Sequence, residues 1–443
     1  MATTYLNRTL GGSGNKDKWT FSCWVKRHKT GVIHPLFHAD DGSSNYYTHI
    51  SFHDTDQLFF QNRWNNGNDG YKITTRMFRD TNAWYHLQFV WDSGNATADD
   101  RQIIYVNGER LTLFGGANVA VTQNRNSTIN DGYEHRIGRG GTFNGSAYAD
   151  VTMSHVHFTD GYAYAPTVFG ETDSTTGEWK IKTSPSMTMG TNGFTVLKDG
   201  NTITDQSSNS NNFTLAGGTL SNTKDCPSNV FCTLNPLYNQ TSSQGVPLTK
   251  LNTRCEYTSN SSRGAYGTIA PSSGKYYFEC KPYNNSLMVV GIVNMAWPNI
   301  NGASGYAFHD HALNFGYNVQ GEKTSGGTNT SYGAAVSNND IVQVAMDLDN
   351  SKLYFGVNGT WQNSGDPTSG STGTGSAFNL ASGANYTAAC RLRNGTDLDF
   401  NFGNGTFRGT AVSSAGTNAS GHGVFEYDVP TGYTALCTKG LNE

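Results

Sequence analysis

Charge is what this sequence has least of. Lys, Arg, Asp and Glu make up 14% of 443 residues, against about 25% in an average soluble protein. The formal net charge is −4, so the chain lacks the basic excess of a nucleic-acid binder or a polybasic membrane-surface protein. No stretch approaches 18 uninterrupted apolar residues, and no membrane-spanning helix is expected. Met1 to Gly14 is polar and holds no signal-peptide core. The seven cysteines, Cys23, Cys226, Cys232, Cys255, Cys280, Cys390 and Cys437, are odd in number and form no C-x-x-C. They imply neither a disulfide framework nor a zinc site. Cys226 and Cys232 are near enough in sequence to bridge; the others read as buried thiols. No 11-residue window shows helical periodicity.

Aromatics and glycine are abundant: 23 Tyr, 23 Phe, 8 Trp and 52 Gly, with glycine well above the roughly 7% that is usual. Disordered chains are poor in aromatics, so this one folds. At about 100–200 residues per domain, its length predicts two or three domains. Gly274 to Cys280 reads as a strand, and large and small residues alternate in Trp19 to Lys26, Ala83 to Asp92, Tyr148 to Phe158 and Asp340 to Asp349. This is the period of a half-buried strand. Leu287 to Val293 is a fully apolar strand. Asn107-Gly108 and Asn358-Gly359 each follow a Tyr-bearing strand, and Asn-Gly is the strongest short-range hairpin signal. Similar hairpins about 250 residues apart indicate two sandwiches of related topology rather than a solenoid. Between them, 171–249 carries isolated aromatics, Trp179, Phe194, Phe213 and Phe231, in a polar setting. It reads as an extended ordered connector, pinned by those rings, between domains at 1–170 and 250–443.

The first region resembles the laminin-G-like, concanavalin A-like jelly rolls. Its matching parts are Phe21-x-x-Trp24-Val25, Trp84-Tyr85-His86, Val90-Trp91-Asp92, Ile104 to Gly108, Phe158-x-Asp160-Gly161 and Pro166-Thr167-x-Phe169-Gly170-Glu171. The trailing Gly177-Glu178-Trp179-Lys180 and Gly190-Thr191-Asn192-Gly193-Phe194 are similar to the form of this domain common in phages and other viruses of aquatic microbes. The third region resembles a SPRY domain through Gly274 to Glu279, Val290-Gly291-Ile292, the Asp347-to-Gly359 hairpin, Asn401-Phe402-Gly403 and Pro430-x-Gly432-Tyr433. These resemblances imply an all-β chain of two antiparallel concanavalin A-like β-sandwiches. They imply a virion protein: a phage tail fibre, spike or head decoration, with other virion proteins and a host-surface carbohydrate or envelope ligand as partners. The fibre analogy implies a trimer.

Sandwiches of this superfamily include glycoside hydrolases, which need two carboxylates about 5 Å or about 6.5–9.5 Å apart. No E-x-D-x-E is present; the nearest patterns are Asp347-Leu348-Asp349 and Asp397-Leu398-Asp399. No G-x-S-x-G elbow occurs either. Recognition without catalysis is therefore expected, with no cofactor. The alternatives are a glycan-degrading enzyme of the superfamily and an intracellular SPRY-type adaptor that binds peptides. The acidic loops holding Asp40, Asp41, Asp92, Asp99 and Asp100 are calcium candidates, since calcium takes about six to eight oxygens. A sandwich holds its loops rigidly at two ends, and sugars stack on aromatic faces. The candidate ligand-binding residues are Trp64, Tyr71, Trp297, Tyr306 and Trp361, each among Gly or Asn. Trp24, Trp84 and Trp91 lie on alternating strands and are assigned to the core.

Overall fold

Asn107-Gly108 and Asn358-Gly359 each turn with two consecutive positive φ angles, 49° and 80° in the first and 48° and 81° in the second. This is the type I′ geometry whose twist matches that of the flanking strands. The computed structural model describes residues 3–141, 147–198, 200, 202–237, 246–296 and 311–442. The chain divides into two units, Met1–Asn222 and Thr223–Glu443. Among the described residues there is no α-helix, and no helix long and apolar enough to cross a membrane.

In the first unit an eight-stranded sheet runs β10 (Phe114–Val119), β6 (Gly67–Met77), β5 (Gln57–Trp64), β4 (Tyr47–Phe52), β3 (His34–Asp40), β11 (Glu134–Ile137), β1 (Tyr5–Thr9), β16 (Thr214–Ala216). A six-stranded sheet runs β15 (Phe194–Val196), β12 (Val151–Asp160), β2 (Lys18–Arg27), β7 (Trp84–Asp92), β8 (Gln102–Val106), β9 (Glu109–Arg110). A ribbon, β13 (Gly170–Thr172) and β14 (Trp179–Ile181), completes it. The sheets face each other across aromatic rings. Phe21 stacks on Phe37 at 4.6 Å, and Trp19 meets Phe60 at 5.8 Å and Trp91 at 6.3 Å.

The alternation in β2 predicts one dry face and one wet face, yet nine of its ten residues are buried. The chain after β12 folds back over the outer side of the six-stranded sheet. Thr20 donates to the Tyr162 carbonyl (2.8 Å) and Gln88 to that of Tyr164 (2.6 Å). Trp179 stacks on His86 at 5.8 Å, and His86 on Trp24 at 5.2 Å. The three tryptophans assigned to the core are all buried, but on two different faces of the sheet. Trp91 lies between the sheets, whereas Trp24 and Trp84 are buried but belong to no inter-sheet cluster. Strand alternation sets which face a residue takes; it does not say what later covers that face.

A Cβ on Gly170 would sit 2.5 Å from the Trp179 ring. Gly170→Ala is therefore expected to lift the indole off His86 and cost about 1–3 kcal/mol by overpacking. The readout is a red-shifted tryptophan emission with a lowered urea midpoint; an unchanged spectrum and midpoint would refute it.

In the second unit a larger sheet runs β17 (Leu248–Thr249), β18 (Arg254–Tyr257), β30 (Thr396–Asn401), β20 (Lys275–Asn284), β25 (Val342–Asp347), β26 (Lys352–Val357), β27 (Thr360–Trp361). β28 (Phe378–Asn379) pairs with β26, β31 (Thr406–Phe407) forms a ribbon with β32 (Thr410–Ala411), and β33 (Thr434–Ala435) runs parallel to β20. Opposite it a six-stranded sheet runs β19 (Arg263–Tyr266), β29 (Tyr386–Leu392), β21 (Val289–Asn294), β22 (Asn314–Asn318), β23 (Glu322–Ser325), β24 (Thr328–Ser331). Tyr317 stacks on Phe355 across the core at 5.4 Å.

The segment 171–249 is shared between the units. β15 lies beside β12 and β16 beside β1, with Phe194 and Phe213 in the first core. Phe231 belongs to the second unit, where it bridges to Cys437. None of the seven cysteines, Cys226 and Cys232 included, is in a disulfide.

Candidate functional site

β5 ends in Trp64, and Asn65-Asn66 turn the chain into β6 with φ of 50° and 62°. This third type I′ turn uses asparagine, one of the residues that tolerates the left-handed region. By alternation Trp64 shares its face with Leu58, Phe60 and Asn62. It continues the core-facing row past the end of the core and is half-buried there. Tyr46 meets it perpendicularly at 5.1 Å, and the Arg125 guanidinium lies 5.3 Å from its ring centre. Asp69 fixes Arg125 (2.5 Å) while also accepting the Thr122 N–H (2.7 Å). Asn66 N–H donates to the Asn45 carbonyl (3.1 Å), tying the two loops together. Tyr133 is close by: its phenol pKa is raised by burial, then by Asp131, Asp41 and Tyr46. The result is a rim with three half-buried aromatics, Tyr46, Trp64 and Tyr133, beside exposed Asp41, Asn65 and Asn66. Rings with flanking carboxylate and amide groups suit a polyhydroxylated ligand, which offers apolar C–H faces and hydroxyls together.

Tyr71 does not join this rim. It lies on the opposite face of the β5–β6 hairpin, edge-on to Phe59 at 5.1 Å. That outer face carries a polar lattice. Arg136 donates to Glu134 (2.6 Å) and Asp40 (2.8 Å), His38 donates to Asp40 (2.7 Å), and Tyr47 donates to Gln61 (3.0 Å). Burial works against the Asp40 carboxylate, but His38 and Arg136 hold its pKa well below the usual range. Trp361 is half-buried against Tyr277 at 6.4 Å, a packing position. Trp297 and Tyr306 lie outside the described residues.

The calcium candidates are not brought together. Asp40 is engaged by His38 and Arg136, while Asp41 caps its own turn through Ser43 (2.9 Å). Asp92 pairs with Lys18 (3.2 Å) and Asp100 with Arg110 (2.7 Å); Asp99 accepts Arg110 through its backbone carbonyl (2.9 Å). Asp92 borders a hollow of about 390 Å³ shared with Asn15, Asp17, Lys18 and Asn95. Among the described residues no three His, Cys, Asp or Glu side chains are placed to hold a metal ion.

The carboxylate pairs are also engaged. Asp347 is fully buried against Lys275 (3.1 Å), and Asp349 accepts the Gly274 N–H (2.7 Å). Asp397 is bound by Arg254 (2.9 Å) and by Arg408. Burial pushes Asp399 up to about 6, although the Arg408 N–H pulls the other way; the residue is 0% exposed. Nearby Glu279 accepts the backbone N–H groups of Glu426 (3.0 Å) and Tyr427 (2.9 Å), the Tyr277 hydroxyl (3.0 Å) and Asn401 (3.1 Å). It pins residues 426–427 over β20.

Sequence reasoning selected Trp64 but missed Tyr46, Arg125 and Tyr133. Tyr46 held a readable signal of the same kind as Trp64, an aromatic beside turn formers, in Ser43-Ser44-Asn45-Tyr46. Arg125 held none, since it reaches Trp64 only through long-range packing.

A search of curated proteins finds no match. Among solved structures the chain is similar to the SPRY domain of human HERC1, with 13% identity, 38% of this chain and 96% of that one covered, and a TM-score of 0.29. It is also similar to a putative carbohydrate-binding protein from Bacteroides ovatus, with 15% identity, 49% and 56% covered, and a TM-score of 0.32. A heptameric SAP-like pentraxin from Limulus polyphemus shares 16% identity, with 37% and 73% covered and a TM-score of 0.28. Residues 3–168 match the family model Laminin_G_3, described as the concanavalin A-like lectin/glucanases superfamily.

Proposed function

We propose that this protein is a non-enzymatic glycan-binding component of a virus particle, a phage tail fibre, spike or head decoration that engages host-surface carbohydrate. The observation that carries the binding reading is the rim at Trp64, where Tyr46 and Arg125 fix the indole and exposed amides flank it. Binding at a preset aromatic surface loses little side-chain freedom. The matched superfamily includes both lectins and glucanases. Support for binding over cleavage comes from the carboxylates: Asp397 is bound by two guanidinium groups, and Asp399 is closed to solvent. The virion setting rests on the resemblance of 177–194 to the phage form of the domain.

A glycan array of bacterial envelope polysaccharides tests the binding. Trp64→Ala is expected to weaken any hit at least about tenfold, as removal of a central aromatic anchor does. Trp361→Ala, in the second unit, is expected to leave it unchanged. Equal loss in both variants, or none in Trp64→Ala with its fold intact, refutes the assignment. Immunogold labelling of particles tests the setting, and absence of the chain from them removes it.

A further inference from the structure

Thiols meet inside the second unit. Cys255 on β18 belongs to the larger sheet and Cys390 on β29 to the six-stranded sheet opposite. Both are 0% exposed, and their sulfurs are 3.6 Å apart. Cys280 on β20 is buried in the same cluster. A disulfide bond is about 2 Å long, so the two sulfurs stand in van der Waals contact, little more than 1.5 Å short of bonding distance. Two thiols aimed at each other from facing sheets are already in the arrangement that a cross-link between the sheets needs.

We propose that Cys255 and Cys390 become an inter-sheet disulfide when the chain folds in the presence of a small-molecule disulfide such as oxidised glutathione. One cysteine thiolate attacks a glutathione sulfur, forming a mixed disulfide and expelling a glutathione thiolate. The second cysteine thiolate then attacks the protein-bound sulfur and expels the other glutathione. The two thiol protons leave with the two glutathiones; the protein loses two electrons and glutathione disulfide gains them. Burial drives the Cys255 thiol well above its ordinary pKa, with Cys390 adding to the effect. Thiolate is therefore scarce once the sheets have closed. The exchange belongs to folding, before closure, and the finished bond is shielded from reductant by the same core.

The test compares the full chain refolded with oxidised glutathione and with a reductant. Free thiols are blocked in denaturant, and peptides are mapped without reduction. The expected result is one linked pair, Cys255 with Cys390, in a product lighter by two hydrogens. The two cysteines are 135 residues apart, and closing so long a loop restricts the unfolded chain strongly. The linked form should melt roughly 10 °C higher. Cys255→Ala and Cys390→Ala should each abolish the link and the difference in melting, while Cys280→Ala keeps both. If every thiol of the oxidised preparation takes the blocking reagent, or if Cys280 replaces either partner, the proposal is overturned. The map of the unsubstituted chain decides this even where a variant fails to fold.

Discussion

Lowering the pH from 7 to 5 is expected to destabilise the first unit by about 6 kcal/mol, because three of its histidines are locked in the neutral state. Each accepts a hydrogen bond from a fixed N–H at one ring nitrogen and donates through the other. His34 accepts from Asp150 N–H (3.0 Å) and donates to the Lys29 carbonyl (2.8 Å). His135 accepts from Asn130 N–H (2.8 Å) and donates to the Tyr133 carbonyl (3.0 Å). His86 accepts from the Trp179 indole (3.1 Å), so its remaining proton is directed at Ser22 (2.9 Å). These tautomers follow from the donors around each ring. A second proton would set two donors against each other in a buried place.

Burial accordingly lowers His34 and His135 to about 4 and His86 to about 3. An unfolded histidine titrates near 6.5. These folded values are depressed, so the stabilisation is present above pH 6.5 and is lost as pH falls below it. At pH 5 each histidine contributes about 2 kcal/mol less than at pH 7. A loss of about 6 kcal/mol is comparable with the whole stability of an ordinary domain, about 5–15 kcal/mol.

The second unit should respond in the opposite sense. Burial lifts Glu279 to about 7, against the pull of its donors, and Asp399 to about 6. Carboxyl groups raised in the fold stabilise it below their unfolded values, and that contribution is lost as pH rises through the folded ones. Between pH 7 and pH 5 this unit therefore gains stability. Six of the eight tryptophans lie before residue 223, so fluorescence melts follow the first unit, and hydrogen exchange follows the second. A first-unit midpoint unchanged between pH 7 and pH 5 would falsify the account.

Asp56→Asn is expected to cost about 3–5 kcal/mol, the toll of breaking a buried ion pair from one side. Arg27 is 0% exposed. Its guanidinium donates to Asp56 (2.9 Å) and to the Phe78 carbonyl (2.5 Å), and lies 4.6 Å from the Phe52 ring centre. Asp56 also accepts from Arg79 (3.1 Å) and the Gly31 N–H (2.8 Å). Asp56 has φ of 66°, and asparagine tolerates that region, so the variant removes charge without backbone strain. The buried guanidinium then has no carboxylate. The melting temperature of the first unit should fall by roughly 10 °C. Combining the change with Arg27→Met should recover much of the loss, since an apolar replacement of a buried pair is often near neutral. If the double variant is no more stable than Asp56→Asn alone, the loss has another origin.

Some of this molecule was legible in its sequence. The strands around Trp19, Trp84 and Val342 follow from alternation, and both Asn-Gly hairpins from turn chemistry, because each is decided by a residue and its near neighbours. Trp64 was legible as an aromatic among turn formers. Its partners were not, since Arg125 is 61 positions along the chain and arrives only when the sandwich closes.

The sequence by itself determined that the chain is all-β, where a few long strands such as those at Trp19, Trp84 and Val342 lie, and that its aromatics are numerous enough for two cores. Tertiary structure alone decided that β2 is dry on both faces, that His34, His86 and His135 are neutral, and that Cys255 meets Cys390. The physical reason is range. Backbone period and turn geometry are set within a few residues, whereas burial, tautomer and side-chain pairing depend on what the rest of the chain places alongside.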